Sequence, residues 1–189
     1  MARDLAHLSD EALVALIARS DDAALEELYT RFGRVAYGLA LRVLRDPALA
    51  EDAVQDAFLT VWRTASRFLP ERAKASTWLL TLVHRRAVDV VRREQPRRAE
   101  PLETALQPGA TATEDEAWLR LQRTRVQEAL RRLPDQQREA LELAYYGGFT
   151  QSQLAERLGE PLGTIKTRVR LGMQKLRECL RPFYFERGV

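Results

Sequence analysis

Cysteine occurs once in the 189 residues, as Cys179, and histidine twice, as His7 and His84. One thiol cannot close a disulfide within the chain, and cysteine-based zinc sites are excluded with it. Beside an apolar helix stripe, Cys179 reads as a small buried or half-buried hydrophobe. Neither histidine follows a glutamate by three residues, so the Glu-x-x-His pairs of di-iron bundles are missing. No cofactor or metal is expected. Long apolar runs are absent as well: nothing approaches the ~18 residues of a membrane span, so no direct membrane insertion is expected. The opening MARDLAHLSDEAL lacks the apolar stretch of a secretory signal. These absences lead to the expectation of a reduced, cytoplasmic setting. Alternation of apolar and polar residues at period two is also missing, which leaves no convincing strand.

What is present is helical period almost throughout. Hydrophobic residues make up 46% and charged residues 30% of the chain, the composition of an ordinary globular protein. Ser9 with Asp10 and Glu11 predicts a helix through about Arg19. A second helix starts near Asp22 and is expected to turn Leu25, Leu28, Tyr29, Phe32, Val35 and Leu39 inward, ending near Asp46-Pro47. A third is expected over about Ala48 to Ser66, a connection over 67–76, and a fourth helix from about Ser76 to Arg93. Residues 94–113 carry Pro96, Pro101, Pro108 and Gly109 and no apolar stripe, which predicts a flexible linker. Helical pattern resumes near Glu114, restarts at Pro134 and breaks at Gly147-Gly148. The expected fold is all-α: two small helical domains, 1–93 and 114–189, joined by the linker. Charge is balanced over 1–95, net −2 over 96–120 and +5 over 121–189. The positive excess therefore sits at the C-terminal end, where an electrostatic footprint for nucleic acid would.

Thr150 to Leu180 carries the larger part of that excess, net +3. Thr150 with Gln153 forms a capping-box pattern, Gly159 suits a left-handed helix end, and Pro161 suits the first turn of the next helix. Ile165, Val169, Gly172, Leu176 and Leu180 then repeat at helical spacing and are expected inward. At roughly 100° per residue, Gly163, Lys166, Thr167, Arg170 and Gln174 fall on the opposite side, with Thr164 and Arg168 at its flanks. Such a helix-turn-helix shows duplex DNA the groups that bond phosphate oxygens and purine edges. Taken alone, it equally describes a stand-alone transcriptional regulator, and a solvated amphipathic hairpin is the blander reading.

Two constellations belong to the first domain. In Ala50 to Arg63, Val54, Phe58 and Val61 face inward, while Asp52, Gln55, Asp56 and Leu59 project together. Carboxylates beside an exposed leucine suit a protein interface, the acids steering a basic partner and the leucine supplying area. A solvated face, or acid/base chemistry by Asp52 and Asp56, are the alternatives. Farther on, Ser76, Thr77 and Trp78 open a helix carrying Arg85, Arg86, Arg92 and Arg93, with Arg97 and Arg98 just beyond. Cations interleaved with an aromatic suit unstacked bases; Trp78 also reads well as core.

In this order, the motifs resemble the bacterial RNA polymerase sigma-70 family, in particular its extracytoplasmic-function class, which keeps only regions 2 and 4. Asp46 to Trp62, DPALAEDAVQDAFLTVW, is similar to regions 2.1–2.2. Ala75 to Arg93, ASTWLLTLVHRRAVDVVRR, is similar to regions 2.3–2.4, and Leu133 to Arg168 resembles region 4. The resemblance implies a non-catalytic factor that directs core polymerase to promoters and assists their opening. It implies that Asp52, Gln55, Asp56 and Leu59 dock the β′ clamp helices. It implies that Ser76, Thr77, Trp78, Arg85, Arg86, Arg92 and Arg93 recognise and melt the −10 element. Gly163, Thr164, Lys166, Thr167, Arg168, Arg170 and Gln174 would read the −35 element, with the β flap as a further polymerase contact. The stretch His84-Arg85-Arg86 departs from the commoner pattern, which has an asparagine within it. The strings HRRAVD and LAYYGG look most similar to sigma-K-like members from actinobacteria, commonly held by a membrane-anchored anti-sigma factor.

Overall fold

The computed structural model describes residues 5–94 and 124–184. The expected linker from residue 95 onward, the helix start near Glu114 and the cations Arg97 and Arg98 lie outside the described residues. The chain divides into two compact units, Met1–Glu100 and Pro101–Val189. All regular structure among the described residues is helical.

The first unit holds α1 (Asp10–Ile17), α2 (Asp22–Leu44), α3 (Pro47–Thr64) and α4 (Ala75–Glu94), with a 3-10 turn at Ala65–Arg67. Three starts follow from the sequence. The side chains of Ser9, Asp21 and Asp46 accept hydrogen bonds from the first-turn amides of α1, α2 and α3, satisfying donors that a helix leaves orphaned. Helix α1 stops at Ile17, two residues short of the expected Arg19. Helix α2 ends on Arg45 in the left-handed region, at φ 57°, one residue before the Asp46 cap.

Helices α2, α3 and α4 pack pairwise against one another, and α1 lies on α2 and touches α4. The contact lines are rich in alanine: Ala24, Ala36 and Ala40 from α2, Ala50, Ala53 and Ala57 from α3, Ala75 and Ala87 from α4, all buried. Leu13, Leu28, Leu44, Val61, Leu79 and Val83 fill the space between them. This corrects the expected inward face of α2. Leu28 is buried, but Leu25, Phe32, Val35 and Leu39 are only half-buried, and Tyr29 is 50% exposed. The axis of contact runs along the small residues because they let neighbouring helices approach closely, and the bulkier side chains then fall at the margins. Tyr29 still meets Phe58 of α3 edge-on at 4.9 Å.

Arg31 ties the N-terminal segment to α2. Its guanidinium donates to the carbonyls of Leu5, Ala6 and Leu8 and to the carboxylates of Asp10 and Glu27, at 2.8–3.1 Å. Burial works against its charge, but the bonds to Glu27 and Asp10 outweigh it and raise the Arg31 pKa above the ordinary value. A planar fork with five donors suits so many acceptors, and an ammonium does not.

The second unit begins in a helical stretch at 124–131, here α5, followed by α6 (Asp135–Tyr145), α7 (Gln151–Leu158) and α8 (Leu162–Tyr184). The expected capping box is present: Gln153 N–H donates to Thr150 Oγ1 at 3.2 Å, and Thr150 N–H to Gln153 Oε1 at 2.8 Å. Gly159 is left-handed at φ 64°, a conformation glycine adopts without Cβ strain. Pro161 stands one residue earlier than expected. It precedes α8, and its carbonyl accepts from Thr164 and Ile165. Leu143, Leu154 and Ile165 form the buried centre, with Phe149, Leu158 and Val169 against it. At Gly172 a Cβ would lie 2.8 Å from Leu141 Cδ1, so α8 crosses α6 at close range there. Cys179 is half-buried.

Replacing Arg31 with alanine should destabilise the chain by about 1–3 kcal/mol, because several partly buried acceptors lose their donor. Arg31→Lys should recover only part of that loss. Urea unfolding followed by circular dichroism measures both.

Candidate interaction surfaces

Helix α3 presents its inward stripe as expected, with Val54, Phe58 and Val61 buried. On the opposite side Asp52 and Gln55 are exposed, and Leu59 is 49% exposed. That apolar side chain stands outside the core, on the same face as the acids. Residues of α2 that the sequence pattern does not single out for contact continue it. Tyr29, Arg34 and Tyr37 border a groove with Glu51, Val54 and Gln55 of α3. Tyr29 could not have been found from periodicity, since the same spacing that places Leu25 and Leu28 inward includes it.

Asp56 is engaged differently from its neighbours. Arg86 of α4 donates through Nε to Asp56 Oδ2 at 2.8 Å, and its Nη2 reaches the same oxygen. Two residues expected on separate surfaces are therefore one ion pair joining α3 to α4. The side chains keep 42% and 34% of their exposure, so the pair is a partly solvated brace rather than a buried one.

Along α4, Leu79, Val83, Ala87 and Val88 are buried, while Thr77, Arg85, Arg92 and Arg93 are exposed and Ser76 is half-buried. Trp78 takes neither extreme expected of it. It is half-buried and packs against Phe68 with the rings tilted by 40° and their centroids 5.1 Å apart, bracketing the connection between the 3-10 turn and α4.

In the second unit Gly163, Lys166, Thr167, Arg170 and Gln174 all lie exposed along α8. The Thr167 hydroxyl donates to the Gly163 carbonyl at 2.9 Å, and Gln174 Nε2 to Glu178 at 3.1 Å. Thr164 is half-buried. Arg168 turns back to Glu160 at 2.7 Å and keeps only 16% of its side-chain exposure. It thus clasps the turn that leads into α8.

Residues 28–97 match the family described as Sigma-70 region 2, and residues 123–176 match Sigma-70, region 4. The chain is 43% identical over 173 residues to an ECF RNA polymerase sigma factor, SigK, of Mycolicibacterium vanbaalenii, covering 90% of this chain and 88% of that protein. The chain belongs to the ECF RNA polymerase sigma factors. The SigK of Mycobacterium tuberculosis is 42% identical over the same share of the chain and 92% of its own length. A solved structure, Rhodobacter sphaeroides SigE in complex with the anti-sigma ChrR, is similar at 34% identity over 90% of this chain and 97% of that one, with a TM-score of 0.46. In this sigma factor the region 2 match starts inside α2 and ends past α4, so α1 lies ahead of it. The region 4 match takes in α6, α7 and most of α8. Among the described residues no helix is long and apolar enough to cross a membrane, and no group of three His, Cys, Asp or Glu side chains is placed to hold a metal ion.

Because the Asp56–Arg86 pair is partly solvated, Asp56→Ala and Arg86→Ala should each cost stability and should not add. A double-mutant cycle by thermal unfolding should give a coupling of about 0.5–1 kcal/mol.

Proposed function

We propose that this sigma factor divides its work between two weak DNA sites, one in each unit, and performs no catalysis itself. Asp52, Gln55 and Leu59, extended by the groove beside Tyr29, form the face that docks the β′ clamp helices of core polymerase in the cytoplasm. Asp56 belongs to that face chiefly by holding it against α4. Ser76, Thr77 and Trp78 with Arg85, Arg92 and Arg93 engage the −10 element and hold an unstacked base, which draws the duplex toward the bubble. On α8, Gly163, Lys166, Thr167 and Arg170 read the −35 element, Thr164 and Gln174 flank them, and Arg168 shapes the turn that presents them. The β flap is a further polymerase contact. Binding through polymerase joins the two DNA contacts and raises the effective concentration of the second. An anti-sigma protein holds the chain in reserve.

The observation that carries this reading is the coexistence, in one chain, of two exposed cationic helix faces with an acidic, leucine-bearing face. A stand-alone regulator has no use for the last of these.

Run-off transcription with core polymerase on a genomic fragment library should yield discrete promoters. Tight, specific duplex binding by the free chain in a gel shift would instead support the stand-alone regulator. Asp52→Ala combined with Leu59→Ala should weaken association with core polymerase while the circular dichroism spectrum stays unchanged. Arg170→Ala should cost on the order of 1–3 kcal/mol and relax preference at one promoter position; a uniform loss across sequences would make Arg170 a phosphate contact instead.

A further inference from the structure

Helix α4 carries the proposed melting residues, yet it begins without a cap of its own. Helices α1, α2 and α3 start on Ser9, Asp21 and Asp46, each accepting a bond from its own first turn. The residue before α4 is Lys74, whose carbonyl accepts from Trp78 N–H at 3.0 Å. Its side chain holds only donors, so it cannot satisfy the orphan amides ahead of it. Nor does the first turn of α4 contain an acidic residue.

The missing acceptor comes from 64 residues upstream. Glu11 of α1 accepts from the Ala75 amide through Oε1 at 3.1 Å. Ala75 itself is buried, so water is poorly placed to replace that bond. A carboxylate at this end also favours the positive pole of the α4 dipole. The position of Glu11 is fixed in turn by Arg31, which holds the adjacent Asp10 and the carbonyls of Leu5, Ala6 and Leu8.

We infer that Glu11 is a positioning residue for promoter opening: it caps α4 from outside the region 2 segment and fixes where Ser76, Thr77 and Trp78 emerge. This rests on the proposed reading of α4 as the melting helix. Without the cap the first turn frays, and these three residues lose the register that α4 gives them. The buried Leu79, Val83 and Ala87 lie deeper in the helix and keep it on the core.

The test uses the full chain with core polymerase and two variants, Glu11→Ala and Glu11→Gln. Glutamine keeps an acceptor oxygen at the same reach and should retain most of the function. Permanganate reactivity of unpaired thymines on a duplex promoter reads opening; a pre-opened bubble template and core association serve as controls. Glu11→Ala should slow duplex opening about fivefold, the scale of losing a helix cap, and leave both controls within about twofold. Hydrogen exchange of the free chain should show the Ala75 amide less protected in Glu11→Ala, with the α2 and α3 amides unchanged.

Wild-type opening by Glu11→Ala overturns the inference, as does Glu11→Gln performing no better than alanine. Loss of protection across the whole unit, or equal losses on duplex, bubble and core association, makes Glu11 a general support of the fold and overturns it too. If the wild-type chain fails to open any promoter with core polymerase, the reading beneath has failed, whereas the exchange result still reports on the cap by itself.

Discussion

Close approach of helices along small side chains is the constraint from which the rest of this structure follows. In the first unit, buried alanines line the contacts of α2, α3 and α4. In the second, Gly172 lets α8 cross α6 within reach of Leu141. Helices held this close leave little room for large side chains between them, and packing at that density fixes their relative placement. On α2 several larger apolar groups fall at the margins of these contacts, which is how Tyr29 comes to be exposed; Leu59 is exposed because it lies on the side of α3 opposite its inward stripe. The same geometry that makes the core small also makes the outer faces available for partners.

Close packing also decides which polar groups meet. With α3 and α4 side by side, Asp56 and Arg86 face each other and pair. With α1 laid across α2, Arg31 gathers carbonyls from the segment before α1 and two carboxylates. Among the described residues no polar or charged side chain is fully buried, so these bonds work at the edge of the core. There they orient elements and contribute modest energy, because water remains a competitor. Within the first unit, the Asp56–Arg86 pair thus braces the helix proposed to meet polymerase against the helix proposed to meet the −10 element.

Much of the local structure was legible in advance because its causes are local. Ser9, Thr150 with Gln153 and Gly159 act on amides within a turn of themselves, so their roles can be read from neighbours in sequence. The inward stripe of α3 followed from period alone, as did the exposed row of Gly163, Lys166, Thr167, Arg170 and Gln174; of the stripe expected on α8, Ile165 and Gly172 are buried and Val169, Leu176 and Leu180 half-buried. Period failed on α2, where alanine and leucine lie on overlapping stripes. Tyr29 offers more apolar area than Ala36, whereas close packing prefers the smaller residue. Arg168 shows a second kind of failure. It lies at the flank of the exposed row, as its angular position indicates, but its partner is Glu160 in the preceding turn.

The sequence by itself determined the helices in outline, the caps of α1 and α7, the glycine turn before α8 and the order of motifs that marks the family. Each of these rests on interactions between residues a few positions apart, or on a pattern that survives without coordinates. Only the tertiary structure decided that Asp56 pairs with Arg86 across 30 positions, that Arg31 reaches back to Leu5, and that Glu11 caps α4 across 64. Pairings of that kind depend on where packed helices bring side chains together. Charge and spacing along the chain leave many partners open to an arginine or a glutamate, and close helix packing selects among them.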